Sequence, residues 1–521
     1  MRENRETPST PDAQSAAGRL EKAMSQTSNK HVVGESDGCV VPAKCSNKDG
    51  QPSAEGMEGR RPAKENIGQA TAPRTQSRIG ELSDLHGVRK VAREGKRTRF
   101  TALLHHVTVD SLRDSFQALK RDAAPGVDGV TWREYETELE TRLANLHIRV
   151  HRGTYRAQPS KRTYIPKADG RLRPLGIAAL EDKIVQGAVA MVLNQIYEED
   201  FQGFSYGFRP GRSQHQALDA LWVGIMRKKV NWVLDADIRG FFDNMSHEWT
   251  VKFVEHRVAD RRVLRLIGKW LRAGVSEEGT WSKTGIGTPQ GAVISPLLAN
   301  IYLHYVFDLW VKHWREHQAT GEMVVVRYAD DIVAGFEHRA DAERFLSEWK
   351  ERMRKFGLEL HPDKTRLIEF GRYASEDRKQ RGEGKPETFD FLGFTHMCGK
   401  TRETGRFMVK RKTVRKRLSA KLKGLKEELR RRWHEPVAEV GKWLRSVVQG
   451  YFNYHAVPGN MDSLNGFRAQ VIWRWYRALR RRSQRGKMTC DRFWLLVDRW
   501  IPSAKILHPH PNVRFDAIHP R

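Results

Sequence analysis

The chain has 521 residues, enough at roughly 150 per domain for three or four domains, which excludes a small disulfide-stapled module. Its 92 Lys and Arg against 63 Asp and Glu give a net charge of +29, an excess that disfavours pockets for cationic ligands and favours a polyanionic partner. From residue 401 onward there are 29 basic and 9 acidic side chains, so +20 of the +29 falls in the last quarter, and charge concentrated in this way reads as a binding surface. Cys39, Cys45, Cys398 and Cys490 have no paired spacing, which argues against a zinc ribbon or disulfide framework and fits a reducing cytoplasm. No apolar run reaches the ~18 residues needed to cross a bilayer, and the N-terminus has no signal-peptide core. The expectation is a cytoplasmic protein without a membrane partner.

In chain order, residues 1–80 are polar and rich in Ser, Gly, Pro and Gln, too poor in large apolar side chains to offset ordering entropy, and are expected to be a disordered leader. A basic segment, 88–104, marks the start of order. From there to about residue 400 apolar periods of 2 and 3.6 alternate, the mark of a mixed α/β region with an open sheet. NWVLDADI (231–238) and MVVVRYADDIVAGF (323–336) read as strands. Phe345, Trp349, Met353 and Phe356 form one helical face closed by Gly357, and Ser295 then Pro296 reads as an N-cap and first turn for a helix through Trp310. Beyond Phe407 the pattern turns all-helical. Val414, Leu418, Leu422, Leu425, Leu429 and Trp433 make an apolar stripe. Basic residues from Lys410 to Lys426 surround it, among them Lys410, Arg411, Lys412, Arg415, Lys416, Arg417 and Lys421. A second basic run, 477–487, lies among Trp443, Trp473, Trp475, Trp494 and Trp500, which offer stacking faces for bases.

Two segments bring acids to the end of apolar strands. In VLDADIRGFFD, Asp235 and Asp237 share a strand face, and in VVVRYADDIV the pair Asp330 and Asp331 sits where two strands need a tight turn. Carboxylates buried against apolar strands need compensation. Mg²⁺, taking one or two carboxylates plus phosphate oxygens and water, is the natural compensator, with Mn²⁺ a possible substitute. Two such ions could lower the pKa of an attacking 3′-hydroxyl and stabilise a leaving pyrophosphate.

With these residues in place, the chain resembles the reverse transcriptases encoded within bacterial group II introns, which also act as maturases. The resemblance runs from about Arg78 to the C-terminus through ordered blocks: DAAPGVDGVT (122–131), RTYIPKADGRLRPLGI (162–177), FSYGFRPGRSQHQAL (204–218), VLDADIRGFFDNMSH, GTPQGAVISPLLANIYLH (287–304), RYADD, FGLELHPDKT (356–365) and FDFLGFTH (389–396). It implies an α/β right-hand polymerase of fingers and palm over 81–400, then an all-α thumb or maturase domain over 401–521. The implied activity is RNA-directed DNA polymerisation with dNTPs on an RNA template carrying a DNA primer, together with binding of the group II intron RNA to assist splicing. A domesticated reverse transcriptase in defence or repair, and a mainly RNA-binding splicing cofactor, are the alternatives.

The same resemblance implies roles residue by residue. Asp237, Asp330 and Asp331 would be the catalytic metal-binding acids, with Asp330 the principal ligand of the hairpin. Phe241 would lie under the incoming sugar and exclude a 2′-hydroxyl, with Phe242 in the core. Lys167 and Arg173 would hold the triphosphate, Gln290 would contact the nucleotide or template base pair, and Lys364 would lie near the pyrophosphate. Arg415, Lys416, Arg417 and Lys421 would bind RNA. Longer members add an HNH nuclease. His508, His510, Asn512 and His519 superficially suggest one, but without paired cysteines the nuclease is expected to be absent, and primers would come from elsewhere.

Overall fold

The computed structural model describes residues 85–166, 172–277, 279–282, 285–289, 291–401, 403–482 and 488–519. The leader expected over 1–80, Lys167 and Gln290 lie outside them. Among the described residues, eleven strands and a set of helices build three sheets and a helical end. A hairpin of β1 (Ser160–Pro166) and β2 (Leu172–Ile177) joins β4 (Val275–Glu277) and β5 (Thr280–Ser282) in the order β2-β1-β4-β5. The central sheet has the order β6-β7-β3-β8, from β3 (Trp232–Asp237), β6 (Met323–Tyr328), β7 (Asp331–Phe336) and β8 (Arg366–Glu369).

The central strands read as near-continuous apolar runs because both faces are covered. Val325, Ile332, Ala334 and Phe336 enter one core with Phe345 and Trp349, while Val324, Val326 and Val333 enter another with Leu218 and Leu221. The period of two sends alternate residues to opposite layers. On one side the Arg339–Lys355 helix supplies Phe345, whose ring lies 5.2 Å from that of Phe336. On the other, the Gln214–Arg227 helix comes so close that a Cβ on Gly224 would fall 2.5 Å from Val324 Cγ1. That approach requires glycine.

The expected helix from Ser295 through Trp310 forms in two parts. Ser295–Leu303 and Leu309–His317 flank a wide π turn over His304–Asp308. Ser295 is the first helical residue rather than the cap, and its hydroxyl bonds Thr288 Oγ1 and, at 3.2 Å, the Pro289 carbonyl. The all-helical end also starts later than expected. β9 (Phe389–Phe391), β10 (Phe394–Lys400) and β11 (Phe407–Thr413) form a third sheet, and the first helix of the end begins at Arg415. Alternation places Val409 and Arg411 inward. Arg411, expected on the basic helical face, is instead 2% exposed and pairs with Asp219 at 3.0 Å.

The helices Arg415–Arg431, Val437–His455, Met461–Arg480 and Cys490–Trp500 then share one core around Leu422, Leu425, Leu429, Leu444, Phe467, Trp475 and Phe493. The terminal helix, Pro511–Ile518, returns to the Gln214–Arg227 helix through Arg227–Asp516 at 2.8 Å and Arg514–Asp219 at 3.2 Å. No helix of the described residues is long and apolar enough to cross a membrane.

Candidate active site

The three acids meet at one end of the central sheet because of the strand register. In the antiparallel pairing of β3 with β7, Asp237 stands opposite Asp331, and in β6 with β7, Tyr328 stands opposite Asp331. Ala329 and Asp330 are thus a two-residue hairpin turn, with Ala329 at φ +55°. Directly opposed residues project from the same sheet face, so Asp331 holds the position across from Asp237. Asp330 sits in the turn, where strand alternation does not assign its direction. Both are close enough to Asp237 for its charge to raise their proton affinity.

The site is electrostatically costly as it stands. Asp331 is exposed and Asp330 half-buried at this strand end, yet both are crowded by neighbouring protein atoms. Desolvation is the largest cause holding both carboxyls above the ordinary range, and repulsion from Asp330 and Asp237 adds to it at Asp331. Asp235, on the same face of β3, is pushed up to about 6 by burial although Arg366 lies 3.6 Å away. Among the described residues no group of three or more His, Cys, Asp or Glu side chains is placed to hold a metal ion by itself. Hard carboxylate oxygens crowded in excess at a strand end are the donor set that a divalent ion fits.

Cations surround these acids. Lys364 Nζ lies 2.7 Å from Asp237 Oδ2, carried there by the segment whose His361 amide bonds the Asp237 carbonyl at 2.8 Å. Arg173 is exposed on β2, and its charge opposes the upward shift of Asp330. Arg417 is exposed like Arg415 and Lys416, but its guanidinium lies toward the sheet. A Cβ on Gly393 would fall 3.0 Å from its Nη1, and its charge acts on Asp331 and His455. Arg415, Lys416 and Lys421 are exposed, and the charge of Lys421 also reaches His455.

Phe241, expected under the incoming sugar, lies in the core, and Phe242, expected there, is the more exposed of the two. Phe241 is 2% exposed, edge-on to Tyr302 in the main core, whereas Phe242 is only partly buried, with its ring 6.4 Å from Phe208. Gly240, at φ +54°, starts the short Phe241–Asn244 helix and turns the first ring inward. The Phe242 carbonyl accepts the Thr288 amide at 2.8 Å, and a Cβ on Gly287 would lie 2.7 Å from the Asp243 carbonyl oxygen. Residues 287–289 are thereby clamped beside Phe242, and Pro289 lies against Gly176 of β2.

A positioning network behind the hairpin has no counterpart in the sequence reading. Arg327, completely buried, makes a two-pronged pair with Asp308, at 2.7 Å from Nε and 2.6 Å from Nη2, and its Nη1 bonds Asn300 Oδ1 and the Ala329 carbonyl. Asn300 Nδ2 in turn bonds the Gly207 carbonyl at 2.7 Å, and a Cβ on Gly207 would collide with the Ala329 amide at 2.3 Å. The π turn brings Asp308 to this place. Such turns recur at functional sites, and an Arg inside an apolar strand was the one available signal. Of the C-terminal histidines, His508 stacks on His215 at 3.9 Å and bonds the Asn453 carbonyl, and His510 lies edge-on to Trp222.

The reverse transcriptase (RNA-dependent DNA polymerase) family matches residues 165–396, which contain all three acids. Protein YkfC of Escherichia coli is 35% identical over 275 residues, 47% of this chain and 72% of that protein. The group II intron-encoded protein LtrA of Lactococcus lactis is 35% identical over 240 residues, 43% of this chain and 39% of its own length. Nuclear intron maturase 2 of Arabidopsis thaliana is 25% identical over 237 residues, 37% of this chain and 30% of that protein.

Proposed function

Because the chain belongs to the reverse transcriptase family and resembles its group II intron-encoded members, we propose that it is an RNA-directed DNA polymerase that also binds its intron RNA to assist splicing. The observation carrying the polymerase half is the register that sets Asp331 against Asp237 with Asp330 in the adjoining turn. Asp237, Asp330 and Asp331 would hold divalent ions, two Mg²⁺ in this reading, which supply charge neutralisation at the reacting phosphate and a more acidic 3′-hydroxyl. The chain's own groups do the rest. Arg173, with Lys167 six residues before it, holds the triphosphate, and Gln290 contacts the nucleotide or template base pair. Lys364 supplies positive charge and a proton donor where the diphosphate departs. Phe242, rather than Phe241, lies under the sugar.

The maturase half is supported by the +20 charge of residues 401–521 and by the names of the intron-encoded relatives. The bacterial cytoplasm, where intron RNA, dNTPs and primer strands coexist, is the setting this reading calls for. The test is a pair of assays on the purified full chain: extension of a DNA primer on an RNA template with dNTPs and Mg²⁺, and splicing of the intron that carries the gene. Extension without any effect on splicing would remove the maturase half. The reverse result would leave an RNA-binding splicing cofactor.

A further inference from the structure

The six tryptophans of the helical end do not share one environment. Trp475 is completely buried, with its ring 5.7 Å from that of Phe493, and Trp500 covers Gly441, where a Cβ would fall 2.6 Å from the indole. Trp473 is two residues from Trp475, about 200° around the helix, and is 50% exposed. The outer row that it belongs to, Gln470, Trp473, Arg477 and Arg480, has spacings of three and four and is exposed throughout. The Arg477 guanidinium lies 4.5 Å from the centroid of the Trp473 ring, and Arg474, tied to Gln470 along the helix, lies 5.8 Å from it. No acidic residue occurs between Asp462 and Asp491, a stretch with eight Lys and Arg.

An exposed indole with guanidinium groups over its ring, in a row without carboxylates, complements a ligand with flat aromatic faces and negative charge on one backbone. We propose that the outer face of the Met461–Arg480 helix is a binding site for unpaired nucleotides of RNA, with Trp473 stacking on a base and Arg477 and Arg480 contacting the flanking phosphates. This deepens the RNA-binding reading above and rests on it. Duplex RNA fits the charge but not the indole, since paired bases hide their faces. An acidic protein segment would satisfy the arginines and leave the ring unused. The occupant is therefore a loop or bulge.

The test compares an RNA hairpin with an open loop and a blunt RNA duplex of equal charge as probes of the full chain. Trp473→Ala should weaken hairpin binding about tenfold and leave duplex binding and the salt dependence unchanged, because stacking is lost and charge is not. Trp473→Phe should recover most of the affinity, which also controls for folding. Arg477→Ala with Arg480→Ala should weaken both probes and flatten the slope of log affinity against log salt by about 1.4 to 1.8. Unchanged hairpin binding in Trp473→Ala, or an equal loss on hairpin and duplex, overturns the proposal. Failure of the wild type to bind either probe would be failure of the RNA-binding reading itself, an outcome distinct from wild-type hairpin binding that survives Trp473→Ala.

Discussion

Adjacent phenylalanines with different surroundings give different outcomes on substitution. Phe242→Ala should raise the relative kcat/KM for ribonucleotides over deoxyribonucleotides while stability changes little. Phe241→Ala should destabilise the fold by about 3–5 kcal/mol in denaturant titration, as expected for a large ring removed from a packed core, without a selective gain in ribonucleotide use. A ribonucleotide gain confined to Phe241→Ala would return the sugar-facing role to the residue that the sequence favoured. Sequence placed both rings within five residues of Asp237, but their division depends on the left-handed Gly240, which no apolar period encodes. The meeting of the acids was legible, because Tyr-Ala-Asp-Asp between two apolar strands, downstream of a strand ending in Asp237, is more specific than a turn alone. Asp331 rather than Asp330 across from Asp237 was not, since it depends on where the turn ends.

At the scale of elements, the hairpin is held from behind by Arg327, Asp308 and Asn300. Arg327→Met alone leaves a buried carboxylate without its partner and should cost about 3–5 kcal/mol of stability. Adding Asp308→Leu should restore most of that stability, since an apolar pair of similar volume can replace a buried ion pair, yet primer extension should stay impaired because Ala329 and Asn300 lose their common donor. Thermal unfolding and extension rate, measured on the single and double variants, check both halves. The helix beginning at Arg415 divides likewise. Arg415→Ala with Lys416→Ala should flatten the salt slope of RNA binding by about 1.4 to 1.8 and spare extension on a short template. Arg417→Ala should impair extension, because its guanidinium lies toward Gly393 and acts on Asp331. Heptad-like spacing showed the buried stripe of this helix, Leu422, Leu425 and Leu429, while Val414 and Trp433 fall outside the helix. It could not show which cation of its first turn would point back to the sheet, because that is fixed by docking against the Leu392–Gly393 turn, with both residues at positive φ.

For the molecule as a whole, the acids of the central sheet oppose folding and serve chemistry. A carboxyl with a raised folded-state pKa is accepted by the fold when protonated. Its cost therefore appears as pH rises through the unfolded value, near 4, and is complete above the folded value. Asp235, Asp330 and Asp331 all shift in this direction, so the metal-free protein should lose stability from about pH 4 upward through the neutral range, and Mg²⁺ should restore more of it at pH 8 than at pH 5. The alternation of strand and helix periods, the helical basic end and the acidic turn were all readable before any coordinates. The return of Pro511–Ile518 to Asp219 and Arg227 was not, since it joins residues almost 300 positions apart and uses single charges rather than a period.

The most direct test is Asp331→Asn, measured for activity and stability on the same preparation. Removing this charge from beside Asp330 and Asp237 should raise the thermal midpoint of the metal-free protein at pH 8, by more than at pH 5, and should lower primer extension by about 10³-fold or more through the loss of transition-state stabilisation. Full extension by the variant, or a thermal midpoint that falls at pH 8, would contradict the assignment of this strand end as the catalytic centre.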